Sequence, residues 1–177
     1  MAALKGGDKL EAALREISQK VAKPGKLRVG FLEGATYPNG TSVAMVAAIQ
    51  VFGAPRANVP PRPYFRNMIA SKSDEWAPAI GGLLPQNNYD VRTTLEIVGE
   101  GIKGQLQQSI VDTTQPPLSP VTLMLRKMFG NHPEEITGKD VGEAARRVAA
   151  GESYGGVSTK PLDWTGHMKN SVGSEVT

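Results

Sequence analysis

Catalysis needs a nucleophile or an acid–base pair within reach of each other, and this sequence offers few of either. It has no cysteine and two histidines, His132 and His167, which excludes thiolate catalysis, disulfides and cysteine-based zinc sites. Asp163 and His167 are four residues apart and could meet across the start of a helix, where capping and dipole effects account for such a pair without catalysis. His132-Pro133-Glu134-Glu135 offers one imidazole beside two carboxylates, a weak metal pattern in what reads as a solvated loop. No serine stands in a G-x-S-x-G setting, and no G-x-x-x-x-G-K-[ST] occurs. Gly99, Gly101 and Gly104 mimic a dinucleotide-binding pattern, but they fall inside a helical stretch rather than after a strand. The expectation is a protein that is not an enzyme and uses no cofactor or metal.

Binding chemistry is better represented. Asn58 to Arg66 reads NVPPRPYFR. Pro60, Pro61 and Pro63 fix φ and remove three backbone donors, so the run is neither a helix interior nor a central strand. The residue before each proline is pushed toward extended geometry. The result is a stiff arm carrying Arg56, Arg62 and Arg66, with Tyr64 and Phe65 beside them. A rigid arm with arginines and aromatics loses little entropy on docking. It could grip an acidic protein surface, or hold phosphates and stack a base. The competing reading is a proline-rich loop whose Phe65 plugs its own core.

The flanking elements must position this arm. Asp8 to Val21 has Leu10, Ala13, Leu14, Ile17 and Val21 at helical spacing, with Asp8 as N-cap and Pro24-Gly25 as the stop. Leu27 to Glu33 alternates as a strand, and Pro38-Asn39-Gly40 marks a turn. Val43 to Phe52, capped by Thr41 or Ser42, is an apolar helix in which Gln50 is the only polar side chain. Such a helix is either fully buried or packed between subunits. Gly53 ends it. After the arm, Phe65 to Ala77 reads as a helix interrupted near Ser71 and Ser73, and Pro78, Gly81-Gly82 and Pro85 break the pattern.

Val91 to Val111 gives the longest helix, after a cap region at Asn87, Asn88 and Asp90. Its stripe is Val91, Leu95, Val98, Ile102, Leu106 and Ile110. The three interior glycines cost about 1 kcal/mol each against alanine, and together they imply a close backbone approach or a bend. A second proline loop, Thr113 to Pro120, leads into a helix over Val121 to Met128 with Ser119 as cap and Pro120 at its first position. Lys139 to Ala150 is a further helix, stopped at Gly151, with Arg146-Arg147 suited to its C-terminal dipole. Ser153 to Thr159 is glycine-rich and expected to be mobile. Thr165 caps a last short helix, Gly166 to Ser171, and Val172 to Thr177 is a candidate terminal strand.

Hydrophobic residues at 40% and charged residues at 21% of 177 fit one globular domain with a real core. The formal charge of +3 permits an acidic or nucleic-acid partner without demanding one. No apolar run is long enough for a signal peptide or a membrane span, so the expected compartment is the cytosol, or a virion assembled there. Helix outweighs strand. The expected fold is α+β: a small antiparallel sheet covered by several helices, in a single domain over 1–177 with long extended loops.

Three segments, taken in order, resemble one family. VAAIQVFGAPRANVPPRPYFR is similar to the helix, Phe-Gly and Pro-x-Arg-Pro-Phe signature of the tail-completion proteins of tailed bacteriophages, also described as minor tail, neck or virion morphogenesis proteins. IKGQLQQSIVDTTQPPLSPVTLMLRK resembles the family's long helix, Pro-Pro-Leu loop and following helix. KPLDWTGHMKNSV resembles its Lys-Pro-Leu, Thr-Gly and Asn-Ser ending. The chain departs from the pattern at Val51, where the family often has an acidic residue, and at Trp164, where it commonly has Asp. The segment 129–159 is longer than the family leads one to expect, and reads as an insertion or extended loop and helix.

The resemblance implies a virion protein at the head–tail junction, assembled in the host cytoplasm into a homo-oligomeric ring, expected to be hexameric. Such a ring completes the tail and joins it to head-completion or connector proteins. Its partners would be the tail-tube protein and those connectors, with non-specific contact to genomic DNA in the lumen and no membrane. The interface residues it implies are Phe52, Gly53, Arg56, Pro61, Arg62, Pro63, Tyr64, Phe65 and Arg66. Phe52, Gly53 and Phe65 would anchor the arm, while Arg62 and Arg66 would pair with carboxylates across the interface. The alternative function is a nucleic-acid-binding module using Arg56, Arg62 and Arg66.

Overall fold

The computed structural model describes residues 7–23 and 25–177. The element order is α1 (Gly7–Val21), β1 (Leu27–Phe31), α2 (Val43–Phe52), α3 (Tyr64–Gln86), α4 (Val91–Asp112), α5 (Pro120–Phe129), α6 (Gly138–Ala149), α7 (His167–Asn170) and β2 (Val172–Val176). The fold is α+β, with helices packed on a two-stranded antiparallel sheet. The chain's C-terminal end returns to pair with its first strand, Leu27 opposite Val176 and Phe31 opposite Val172. The first strand stops at Phe31, two residues short of the expected end.

Local chemistry explains most helix starts. Ser42 Oγ accepts from Met45 N, Asp90 Oδ1 from Thr93 N, and Ser119 Oγ from Thr122 N, each covering a donor that the first turn leaves open. The last helix differs: its N-cap is Gly166 at φ 74°, and Thr165 instead offers Oγ1 to His167 N. Asp8 lies inside the first turn of α1 rather than at its cap. The proposed stop at Pro24 lies outside the described residues.

The expected stripe of α4 is the spine of the main core. Leu95, Val98, Ile102, Leu106 and Ile110 are buried there, with Val43, Ala47, Tyr64, Met68, Leu162, Met168 and Val172 around them. Of the three glycines in α4, Gly99 alone meets a neighbour. A Cβ there would lie 2.7 Å from Leu27 Cδ1 and 3.2 Å from Ser174 Cβ, so this is where the sheet rests on the helix. Gly101 and Gly104 face open space, and the idea of a shared close approach holds for Gly99 only.

The break expected in α3 does not occur. Tyr64–Gln86 is one helix of 23 residues with Pro78 and Pro85 inside it. Each proline removes one i→i−4 bond. Pro78, Pro85 and the residues whose carbonyls they free, Asp74 and Gly81, are all exposed, so water can satisfy those carbonyls. The opposite side packs toward the core through Met68, Trp76, Ile80 and Leu83, and Trp76 Nε1 donates to Gln105 Oε1 on α4 (2.9 Å). Packing along the whole length outweighs two lost bonds.

A satellite core lies between α5 and α6, built on Met124, Leu125 and Ala144 with Phe129, Ile136, Tyr154 and Trp164 against it. The 129–159 segment therefore shares its core with α5 rather than packing by itself. Thr137 and Asp140 form a capping box at the start of α6. Arg146 and Arg147 both reach Glu143 one turn earlier, at 2.7 and 3.0 Å. The glycine-rich stretch is tied down, since Ser153 and Ser158 offer carbonyls to Lys127 and Arg126.

Tyr64 is 1% exposed, and its hydroxyl donates to Ala47 O at 3.4 Å. Burial, with Tyr37 adding to it, pushes the phenol far above its ordinary 10.0. Above pH 10 the unfolded chain releases this proton while the folded chain retains it, so folding stability must fall as pH rises. Urea unfolding at a series of pH values above about 10 should show a decline, and Tyr64→Phe should make that decline shallower.

Candidate functional site

The arm is shorter than the sequence implies. Between Gly53 and Tyr64 the chain makes a small loop, closed by paired bonds between Ala54 and Val59 (2.8 and 3.1 Å). Pro55–Ala57 is a single 3-10 turn, and Asn58 is left-handed at φ 53°. Val59 to Arg62 lies outside any helix, Pro63 turns the chain at φ −81°, ψ 42°, and Tyr64 already opens α3.

The nine proposed interface residues divide into three groups. Arg62 and Tyr64 are buried, at 4% and 1% exposure. Phe52, Arg56, Pro61, Pro63 and Arg66 are exposed, while Gly53 and Phe65 are half-buried. Arg62 N donates to Gln50 O (2.7 Å). Its side chain donates from Nε to Pro116 O and from Nη1 to Gln50 Oε1, both at 3.1 Å. The expectation that Arg62 reaches a carboxylate across an interface is therefore corrected. Its guanidinium clamps the end of α2 to the second proline loop inside one protomer. Phe65 is half-buried and packs against the core, which goes part of the way to the competing reading. Its ring sits edge-on to Tyr64 (6.5 Å) and covers Gly30.

What remains outward is an apolar face on α2 beside the two cations Arg56 and Arg66. Phe52 is 65% and Met45 53% exposed, with Ile49 beside them. Arg66 lies over the Phe52 ring, its Cζ 4.9 Å from the centroid, which holds the ring at the surface instead of letting it fold inward. Between this face, β1 and the start of α3 lies a groove of about 510 Å³, floored by Val29, Phe31, Ala48 and Phe65. The reading of α2 as fully buried does not hold, since Val43 and Ala47 are its only buried residues. A second apolar row stands on α1, where Leu10 (62%), Leu14 and Val21 are exposed and no residue is buried. The sequence showed the α1 row as a helical stripe and α2 as an apolar helix without a polar face, but neither pattern says which residues the protomer covers.

The residues weighed for catalysis have other partners. His167 Nε2 meets Thr36 O at 2.9 Å and its ring stacks on Tyr37, while Asp163 faces Lys169 (3.7 Å). His132 Nδ1 lies 3.1 Å from Glu134 Oε1. With Glu135 these groups bring their ligand atoms within 4.8 Å of one another, all exposed. Their hydrogen bond and the backbone hold Glu134 below the usual carboxylate range, with the backbone bond the larger cause. Among the described residues no helix is long and apolar enough to cross a membrane. Compared with family models, with curated proteins and with solved structures, the chain matches none.

Proposed function

We propose that this chain is a structural subunit of the head–tail junction of a tailed bacteriophage, assembling into a ring that completes the tail and joins it to the head-completion proteins. The observation that carries this reading is the pair of uncovered apolar rows, on α1 and on α2. Apolar rows left in water on a small chain mark surfaces that another chain covers. Two different rows on one protomer fit head-to-tail association, which closes into a ring when the rotation allows. The resemblance of the Phe-Gly, Pro-Pro-Leu and Lys-Pro-Leu segments supplies the identity of the ring. A nucleic-acid module is the weaker reading, because Arg62 is committed inside the fold and the outward cations of the arm are Arg56 and Arg66.

Mass photometry of the purified chain, alone and with isolated tails, tests the proposal. The parent should form one closed oligomer, alone or on tail ends. Met45→Ser combined with Phe52→Ser should abolish it while shifting folding stability by no more than about 0.5 kcal/mol per site, as surface changes do. A chain that stays monomeric in both settings, with normal tails and normal heads joined in its absence, overturns the reading.

A further inference from the structure

A cavity of about 280 Å³ lies where the main core meets the satellite core. Its walls come from the 37–41 turn, from Val46 and Gln50 on α2, from Arg126 on α5, and from the segment Pro161 to Met168. Arg126 is 4% exposed. Its Nη1 donates to Ser158 O at 2.7 Å, and Trp164 covers the guanidinium face at 5.1 Å. Nε is buried and has no partner. No carboxylate lies within ion-pair distance of this guanidinium or of Arg62 among the described residues.

Two buried cations close together is an expensive arrangement. Burial lowers the proton affinity of both groups; at Arg126, Asp163 works against this and Arg62 adds to it. Asp163 is too distant to pair and faces Lys169 instead. Glu134 stands on the cavity wall, but its Oε1 is turned to His132. Gln50 joins Arg62 to the cavity, since its Oε1 accepts from Arg62 and the residue lines the wall beside Arg126. A buried charge satisfied only by carbonyls lacks the compensation that a counter-charge provides. With Nη1 occupied and Nε enclosed without a partner, Nη2 is the donor left for an acceptor, on the edge that it shares with Nε. A guanidinium presents such an edge as a two-donor fork that fits a planar carboxylate. Pro38, Val46, Pro161, Leu162 and Trp164 supply apolar walls for the body attached to it.

We propose that this cavity binds an organic carboxylate, seated on Arg126 between Trp164 and Gln50. The carboxylate belongs either to a free acid or to an acidic side chain of another polypeptide. The site stands independently of the ring reading, because it rests on one protomer's own residues.

The test is titration at constant ionic strength with sodium benzoate as free acid and with an N-acetylated, C-amidated glutamate tripeptide as side-chain donor, chloride being the control. Tryptophan fluorescence and the melting temperature are the readouts. Saturable quenching or enhancement with one probe, together with a rise in melting temperature that grows with the logarithm of its concentration, is expected, and chloride should give neither. Whichever probe binds tighter identifies the source, and either result upholds the site. Arg126→Gln should remove binding. Because Arg126 also supports the satellite core, Gln50→Glu is the second variant. It places a carboxylate on the wall, next to Arg62, and should weaken binding at least about tenfold, a change of roughly 1.4 kcal/mol, without lowering the ligand-free melting temperature. No saturable response to either probe overturns the proposal, and so does undiminished binding in folded Gln50→Glu.

Discussion

Gly53→Ala should destabilise the chain by about 3–5 kcal/mol, among the larger effects a single methyl group can have. Gly53 sits at φ 76°, ψ 169°, a region open in practice to glycine alone, and forcing an L-residue there costs about 1–3 kcal/mol. A Cβ would also lie 2.9 Å from both Pro61 N and Val59 O. These are backbone atoms of a segment stiffened by proline, and they cannot swing aside. The contrast with Gly99 decides how much weight the second term carries. There the nearest obstacle is a leucine methyl, which can rotate away at modest cost. Gly101→Ala, in open space within α4, should go the other way and stabilise by about 0.5–1 kcal/mol. Urea midpoints of the two variants, measured side by side, should therefore move in opposite directions. Equal shifts would mean that the turn from α2 into the arm is not the tight backbone crossing described above.

Which parts of this architecture were legible in the sequence follows from the range of the forces involved. Ser42, Asp90 and Ser119 act on backbone donors three residues away, so their helices could be placed from local pattern. Val172 to Thr177 could be placed as a candidate strand in the same way, whereas its pairing with β1 is a contact across almost the whole chain. The continuity of α3 was not legible. Pro78 and Pro85 are unfavourable locally, and what overrides them is packing against α4, a contact no local window contains. The three glycines of α4 look alike in sequence. Only coordinates separate Gly99, under Leu27 and Ser174, from Gly101 and Gly104. Residue type misled most at the arginines. Spacing places Arg62 on the arm with Arg56 and Arg66, yet its acceptor on Pro116 lies in a loop more than fifty residues away. The carboxylate site has the same character. Nothing near Arg126 in the sequence announces that its guanidinium is enclosed by Trp164 and the Ser158 carbonyl.

Arg62→Ala should cost about 3–4 kcal/mol and Arg62→Met about 1–2 kcal/mol, both measured on the isolated chain by urea unfolding. Two terms of opposite sign meet at this residue. Hydrogen bonds from a charged donor contribute about 1.5–3 kcal/mol each, and Arg62 makes two from its side chain, to Gln50 Oε1 and Pro116 O. Against them stands the desolvation of a cation with no carboxylate beside it, several kcal/mol by itself. Removing the charge recovers that penalty, so the hydrogen bonds alone overstate the loss. Methionine keeps much of the stem's packing at a site 4% exposed and loses mainly the two donors, leaving both carbonyls short of a partner. Alanine loses the stem as well and leaves a void between α2 and the second proline loop, which adds roughly 2 kcal/mol on the scale of large-to-small core changes. The order Ala below Met below parent thus reports burial, and a surface arginine would give three values within about 0.5 kcal/mol of each other. Near-equal stabilities would return Arg62 to the outer face of the arm, beside Arg56 and Arg66, and with it the possibility of a three-arginine grip on a partner.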